Sequence, residues 1–393
     1  MSNPTADVVI IGGAVMGSST ACQLAQRPDF TGRIVVIEAD PTYQTCASAR
    51  SAASIRQQFS SPINIDISLF GIEYLRQIGT HLQTGQDRPA IDLHEGGYLF
   101  LATPDKEAIL RENHVLQETH GANIGLFDQQ ELKSRFPWLN MQDLSAGCHG
   151  LTGEGWFDGY GLMQAFRKKA RSLGVEYVSA EATRIAPSGS GWDITLSTGE
   201  TLSAGILVNT AGAKGGAELC RQAGLDVPVR SKKRCVFTFE CREKLTGFPL
   251  LIDPTGTYVR PEGNGYICGS APPEDQDPDC DDFDVDHTLF ENHIWPVLAN
   301  RVPAFETIKP GPAWAGSYDM NLFDHNAFVG AVPGIGNFLL ALGFSGHGLQ
   351  QSPAVGRGLA ELIVTGRYET LDLSPLGIER LAANTPLIEK NVV

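Results

Sequence analysis

The sequence has 393 residues, more than one hydrophobic core usually organises, so we expect two domains. Its net charge of −15, from 45 acidic against 30 basic residues, argues against a nucleic-acid or anionic-membrane partner. No run approaches the roughly 18 apolar residues of a transmembrane segment. The N-terminus lacks signal-peptide features and the cysteines show no C-x-x-C spacing. We therefore expect a soluble, cytoplasmic protein with reduced thiols.

The first predicted unit consists of a strand, a glycine turn, a helix and a second strand. DVVII (7–11) leads into GGAVMG (12–17), a helical pattern follows, and the strand IVVIE ends at Glu38. Small residues let the backbone approach a pyrophosphate, the helix N-terminus supplies N–H groups, and the acid accepts bonds from a ribose. Ala14 stands where this pattern prefers glycine, which weakens the motif. The unit nevertheless predicts a dinucleotide site.

The following patterns predict a discontinuous nucleotide-binding domain. A helix is predicted from about 62 to 82, then the strand GGYLFLAT and a helix at 160–174. The strands VEYVSAEATRI, WDITLST and GILVNTAGA come next, and the chain is strand-rich from about 225 to 324. The predicted nucleotide-binding domain comprises 1–85, 150–220 and 325–393, and the substrate-binding domain comprises 86–149 and 221–324.

A second glycine-rich helix start lies near the C-terminus. GFSGHG (343–348) follows the strand FLLAL and opens a helix, so it exposes backbone N–H groups at a helix N-terminus. Such a terminus stabilises the negative charge that a flavin gains at its pyrimidine edge on reduction. This feature favours FAD over NAD, although a tight turn into the helix without a ligand is the alternative.

Together with LVNTAGA (207–213) and FDGYGLMQAF (157–166), these motifs resemble the D-amino-acid oxidase (DAO) superfamily over nearly the whole chain. That superfamily includes glycine and sarcosine oxidases. The sequence pattern is most similar to that of bacterial relatives of the mitochondrial complex I assembly flavoprotein. The resemblance implies a mixed α/β (α+β) fold. Its parts are a Rossmann-like FAD-binding domain of the glutathione-reductase/p-hydroxybenzoate-hydroxylase type and an inserted antiparallel-sheet substrate domain. The implied FAD contacts are Gly12, Ala14, Val15, Met16, Gly17, Glu38, Ala39, Ser48, Ala49, Arg50, Ala52, Ala53, Ser54, Ala182, Ala211, Gly212, Gly343, Phe344, Ser345, Gly346, His347, Gly348 and Leu349.

The resemblance also suggests how a substrate carboxylate is held. Arg56 stands where sarcosine oxidase has an arginine clamp, and a guanidinium pairs bidentately with a carboxylate and stays charged when buried. A structural role for Arg56 is the alternative. Gln350 replaces the second clamp of the family, a lysine. Arg260 is a candidate replacement, since strand alternation places it on one face with Tyr258.

Four further expectations concern the substrate, the cofactor and the reaction. Trp314 and Tyr318 are candidates for an aromatic wall around a cationic amine, or are ordinary core residues. Ile267 stands where sarcosine oxidase has an oxygen-activating lysine, which favours a dehydrogenase over an oxidase. Gly316 and Ser317 occupy the segment in which relatives attach their flavin to a cysteine. We therefore expect non-covalent FAD, and we assign His347 no proton transfer.

The remaining motif is the acidic run 274–286. Cys280 and Asp286 do not match the glycine and glutamate of a calcium loop, so a solvated loop is expected and no metal site is predicted.

The predicted function is FAD-dependent oxidation of the C–N bond of a small amine or amino acid, with O2, a quinone or a carrier protein as electron acceptor. The alternatives are a 2-hydroxy-acid dehydrogenase and a non-catalytic flavoprotein assembly factor.

Overall fold

A computed structural model describes residues 5–390, so the predicted domain ends 1–4 and 391–393 lie outside the described residues. The strands are β1 (Thr5–Ile11), β2 (Ile34–Glu38), β3 (Ser54–Ile55), β4 (Tyr98–Ala102), β5 (Ile124–Asp128), β6 (Ala146–Gly150), β7 (Gly155–Trp156), β8 (Glu176–Ser179), β9 (Ala182–Ser188), β10 (Gly191–Leu196), β11 (Thr201–Asn209), β12 (Val229–Cys241), β13 (Leu250–Ile252), β14 (Tyr258–Glu262), β15 (Gly265–Gly269), β16 (Ile308–Asn321), β17 (Phe328–Ala331) and β18 (Phe338–Leu342).

The helices are α1 (Val15–Ala25), α2 (Ala47–Arg50), α3 (Pro62–Arg76), α4 (Ile78–His81), α5 (Glu107–Thr119), α6 (Gln129–Arg135), α7 (Gly159–Ser172), α8 (Gly212–Gln222), α9 (His287–Leu289), α10 (Trp295–Arg301), α11 (Gly348–Thr365) and α12 (Glu379–Ala382). The single helix predicted over 62–82 is interrupted at Gln77, whose backbone leaves the helical region. No helix among residues 5–390 is long and apolar enough to cross a membrane.

The first sheet has eight strands and a parallel centre. Its main path runs β17-β18-β11-β1-β2-β8, and the β9–β10 hairpin joins it through β11. In β1, Val8 and Ile10 pack into a core shared with α1, α7 and α11, while Val9 and Ile11 pack into a core shared with α8 and β10. Both faces are covered, which explains the uninterrupted apolar run of this strand.

The second sheet also has eight strands, in the order β16-β12-β15-β14-β13-β4-β6-β5. Its pairings are antiparallel except for the parallel pair β13 and β4. The β4 side chains Tyr98 and Phe100 pack with Leu250 and Ile252 on one face, whereas Leu99 belongs to a core on the other face. All described strands within 98–150 and 229–321 belong to this second sheet. The predicted domain boundaries themselves stay predictions.

The packing of α1 against α11 brings two helix N-termini together. The Oγ of Ser19 donates to the carbonyl of Ser352 at 2.7 Å, and a Cβ at Gly356 would clash with Ser19. Glycine at position 356 therefore allows the two helices to approach until backbone and side chain touch.

We expect Gly356→Ala to lower the free energy of unfolding by about 1–3 kcal/mol, because the added methyl group overpacks this contact. The urea midpoint should fall at an unchanged slope. Gly336→Ala is the control, since a Cβ there meets open space. Equal midpoints for the two variants would contradict this view of the helix contact.

Candidate functional site

A cavity of about 1340 Å³ is lined by residues of both large sheets and by the N-termini of α1, α8 and α11. At the start of α1, the N-cap residue Ala14 has no capping side chain. The Ser48 hydroxyl accepts the Val15 N–H at 3.3 Å, and the other N–H groups of this helix start are available to the cavity. Gly12 has φ of 97°, and a Cβ there would clash with the Thr210 carbonyl. This uncapped turn provides what an anionic phosphate needs.

Glu38 ends β2 beside this turn and faces the cavity together with Ala39. Its Oε2 accepts the Gly13 N–H at 2.7 Å and its Oε1 accepts the Asp40 N–H at 2.8 Å. Burial raises the pKa of this carboxyl group. Glu38 thus braces the glycine turn, a role that the sequence did not reveal, while its oxygens retain lone pairs for a ribose.

Most of the predicted FAD contacts line the cavity. Three do not, for local reasons. Gly17 packs against the Gly12 carbonyl, Ala49 lies within α2, and Gly343 packs against Asn321 and Val229. The contacts that line the cavity are Gly12, Ala14, Val15, Met16, Glu38, Ala39, Ser48, Arg50, Ala52, Ala53, Ser54, Ala182, Ala211, Gly212, Phe344, Ser345, Gly346, His347, Gly348 and Leu349. Their roles as FAD contacts stay predictions.

The start of α11 is a second uncapped N-terminus. Its N-cap residue, His347, makes no side-chain capping bond. Gly346 has φ of 89°, and a Cβ there would clash with the Tyr318 hydroxyl. The same hydroxyl donates to the Ser345 carbonyl at 2.5 Å. The turn is therefore shaped by Tyr318 from the opposite sheet.

Asp319 also supports this turn, and sequence reasoning missed it. Its Oδ2 accepts the N–H groups of Gly343 at 3.0 Å and Phe344 at 3.1 Å. Burial raises the pKa of the carboxyl group to about 6. Asp319 follows Tyr318 directly in β16, so one strand supplies both contacts to the turn. No motif in the sequence marked it.

Arg56 places a buried positive charge at the cavity wall. Its side chain is buried, and its guanidinium lies 4.6 Å from the Phe59 ring centre and 5.4 Å from that of Phe100. Its Nη2 lies 3.1 Å from Nε2 of His347, and its Nε makes no hydrogen bond. No Asp or Glu in the described part of the chain forms an ion pair with it. An uncompensated guanidinium therefore lines the cavity.

His347 is held neutral by this arrangement. Burial lowers its pKa to about 3, and the positive charge of Arg56 acts in the same direction. Because a guanidinium only donates, Nε2 of His347 is the acceptor in the pair. The imidazole therefore orients Arg56 and has no free Nε2 lone pair for a substrate proton.

The other predicted substrate residues divide into two groups. Tyr258, Tyr318 and Gln350 line the cavity. Gln350 is already engaged, since its Oε1 accepts the backbone N–H of Arg56 at 2.8 Å. Arg260 lies outside the lining.

Arg260 and Trp314 donate to backbone carbonyl groups instead, and Arg260 also forms an ion pair with Glu262. The Nη2 of Arg260 donates to the Ala52 carbonyl at 2.6 Å, and the indole N–H of Trp314 donates to the Arg50 carbonyl at 2.9 Å. Neither side chain lines the cavity, so the second clamp predicted at Arg260 and the aromatic wall predicted at Trp314 gain no support from their positions.

A different arginine, Arg234, lines the cavity and was missed. It forms a bidentate pair with Asp277, with both N···O distances at 2.8 Å, and lies 4.9 Å from the ring centre of Tyr318. Asp277 belongs to the acidic run that we expected to be a solvated loop. Lys232 pairs with Asp279 in the same run at 3.0 Å.

The solvated-loop interpretation of 274–286 is therefore incomplete, because part of this run is bound to β12 and Asp277 lines the cavity. The basic run RSKKR (230–234) was the available signal, although nothing in the sequence paired it with the acidic one. Within residues 5–390, no group of three His, Cys, Asp or Glu side chains is arranged to hold a metal ion.

Two helix N-termini meet at one cavity between the two large sheets, beside the buried guanidinium that follows β3, and this arrangement is typical of a flavin-dependent oxidoreductase. The family model described as "FAD dependent oxidoreductase" (DAO) matches residues 7–362, and this chain belongs to that family. FAD is its cofactor. The family resemblance seen in the sequence is confirmed.

Similar proteins and solved structures support this family assignment. The FAD-dependent oxidoreductase domain-containing protein 1 of Xenopus laevis is 41% identical, over 99% of this chain and 85% of that protein. The structure of L-proline dehydrogenase from P. horikoshii has a TM-score of 0.84 at 23% identity and covers 98% of this chain and 100% of its own.

Glycine oxidase from Geobacillus kaustophilus has a TM-score of 0.82 at 22% identity, with coverage of 96% and 99%. These structural likenesses confirm the predicted mixed α/β fold of FAD-binding oxidoreductases.

We expect Gly346→Ala to weaken FAD binding about tenfold or more, because the methyl group would displace Tyr318 and strain the turn that opens α11. Titration of the FAD-free protein with FAD, followed by flavin fluorescence, measures this. The control is Gly215→Ala in the cavity lining, where a Cβ makes only ordinary contact with Ala211. An unchanged dissociation constant for Gly346→Ala would contradict a cofactor role for this turn.

Proposed function

We propose that the chain oxidises the C–N bond of a small amine or amino acid and that Arg56 binds the carboxylate of the substrate. The observation that carries this proposal is the buried guanidinium of Arg56, which lines the FAD cavity without an acidic partner. Burying a charge is costly unless a partner compensates it. A substrate carboxylate supplies that partner, with the bidentate geometry that a guanidinium favours.

The residues of this chain need only hold and orient the substrate. The chemistry that bound FAD would supply is acceptance of a hydride from the carbon beside the nitrogen; with loss of a proton from the nitrogen to solvent, this gives an imine that water hydrolyses. Arg56 fixes one end of the substrate, and Tyr258 and Tyr318 line the same cavity. Orientation of the reacting C–H bond is then the main contribution of the protein.

The similar structures support this choice of bond. By their names, one acts on L-proline and the other on glycine, and both substrates carry an amine beside a carboxylate. A carboxylate site alone also suits a 2-hydroxy acid, so the reaction needs a direct test.

We expect amino acids or N-methyl amino acids, and not 2-hydroxy acids, to bleach the flavin of the FAD-loaded protein under anaerobic conditions. Bleaching by 2-hydroxy acids alone would favour the hydroxy-acid alternative. A flavin that stays oxidised with every compound would favour the assembly-factor alternative.

Arg56→Gln should raise the KM of the best substrate about 30-fold or more, because removal of one member of a buried ion pair costs about 2–5 kcal/mol. Arg56→Lys should have a smaller effect, since a lysine keeps the charge but loses the bidentate geometry. FAD affinity should stay the same in both variants. An unchanged KM in Arg56→Gln would remove Arg56 from the substrate site.

We also propose that the enzyme is a dehydrogenase that passes electrons to a quinone or a carrier protein. The support is the resemblance to sarcosine oxidase, which would place a lysine where this chain has Ile267, a buried apolar residue of β15 that lies outside the cavity lining. Without a cation at that position, forming superoxide is poorly stabilised. Non-covalent FAD stays a prediction beside this one.

Turnover with an artificial electron-accepting dye should therefore exceed turnover with air-saturated O2 by about tenfold or more. The measurement compares initial rates of dye reduction and peroxide formation at one substrate concentration. Peroxide formation as fast as dye reduction would show an oxidase.

A further inference from the structure

We infer that Glu154 is a positioning residue that fixes the direction of Arg56 in the cavity. The inference rests on the proposed function, in which Arg56 binds the substrate carboxylate. Glu154 itself does not line the cavity, so it acts through the backbone that follows Arg56.

The carboxylate of Glu154 is fully buried and accepts four hydrogen bonds. Its Oε1 accepts the backbone N–H groups of Gln57 at 2.6 Å and Gln58 at 3.0 Å. Its Oε2 accepts the side-chain N–H of Gln58 at 2.8 Å and the backbone N–H of Tyr98 at 3.2 Å. No Lys or Arg among residues 5–390 forms an ion pair with it. Glu154 thus joins the segment after Arg56 to β4.

These bonds matter because the backbone of this segment is irregular. The strand β3 ends at Ile55, and the Arg56 N–H is accepted by Oε1 of Gln350. The N–H groups of Gln57 and Gln58 are both accepted by Glu154. Three consecutive N–H groups are therefore held by side chains from distant parts of the chain, and none by a strand ladder.

Glu154 also connects the segment that carries Arg56 to β4, the strand whose aromatic rings lie near the Arg56 guanidinium. Tyr98, whose N–H Glu154 accepts, and Phe100 lie in β4, and the guanidinium is 6.0 Å and 5.4 Å from their ring centres. One carboxylate therefore sets the distance between the backbone that carries the guanidinium and the rings beneath it.

The chemistry of the site requires a carboxylate. All four surrounding groups donate, and only an ionised carboxylate offers acceptors on both atoms. A glutamine would turn its NH2 group towards two of these donors. The fold also makes room for the acid, because a Cβ at Gly150 would clash with Oε2 of Glu154. An unpaired buried carboxylate is costly: burial raises the pKa of Glu154 to about 6, and its four charge-assisted hydrogen bonds act in the opposite direction and favour the ionised form.

The test compares benzoate with its neutral analogue benzamide as ligands of the FAD-loaded protein, followed by the change in flavin absorbance. Wild-type protein should bind benzoate more tightly than benzamide. Glu154→Gln should weaken benzoate about 10- to 100-fold, as expected for a misplaced binding group, and leave the affinities for benzamide and FAD within about twofold.

Glu361→Gln is the matched control. Glu361 is a buried carboxylate outside the cavity lining, and it accepts the backbone N–H groups of Glu369 and Thr370. This variant should lose stability without losing preference for benzoate. If Glu154→Gln does not fold, Gly150→Ala replaces it, because the added methyl group displaces the Glu154 carboxylate, and the same selective loss is expected.

The outcomes separate the two proposals. If wild-type protein binds benzoate no better than benzamide, the carboxylate site of the proposed function is wrong. If wild-type protein prefers benzoate and Glu154→Gln keeps that preference, or loses benzoate, benzamide and FAD together, the positioning role of Glu154 is wrong.

Discussion

The close contact between α1 and α11 is the constraint on which the rest of the site depends. Glycine at position 356 lets α11 reach Ser19 of α1, and the two helices then begin at the same cavity. Neither N-cap residue caps its own helix, so each start offers backbone N–H groups to an anion, apart from the Val15 N–H, which the Ser48 hydroxyl accepts. One end of the cavity thereby suits a pyrophosphate and the other the electron-rich edge of a flavin.

Against this background, Arg56 adds a positive charge that the protein leaves uncompensated. Its surroundings hold it in place without neutralising it, since it contacts aromatic rings and the neutral imidazole of His347. Asp277, an acid that does line the cavity, is already paired with Arg234. The substrate is therefore the partner that we assign to Arg56, and the hydride chemistry belongs to the cofactor.

Local patterns explain what the sequence could predict. The glycine turns at 12–17 and 343–348 each follow a buried strand and open a helix, so neighbouring residues suffice to identify them. The position of Arg260 could be predicted only in part, because it pairs with the nearby Glu262 but also donates to the Ala52 carbonyl, 208 residues away. The ion pair between Arg234 and Asp277 could not be predicted from the sequence either, because only the tertiary fold brings the basic strand to the acidic loop.

The central claim is that a substrate carboxylate pairs with the buried guanidinium of Arg56 beside the flavin. A crystal structure of the FAD-loaded protein soaked with benzoate tests it most directly. We predict that the benzoate carboxylate lies within hydrogen-bond distance of the Arg56 guanidinium, with the aromatic ring over the flavin. Benzoate bound elsewhere, with Arg56 still lacking an acidic partner, would contradict the claim.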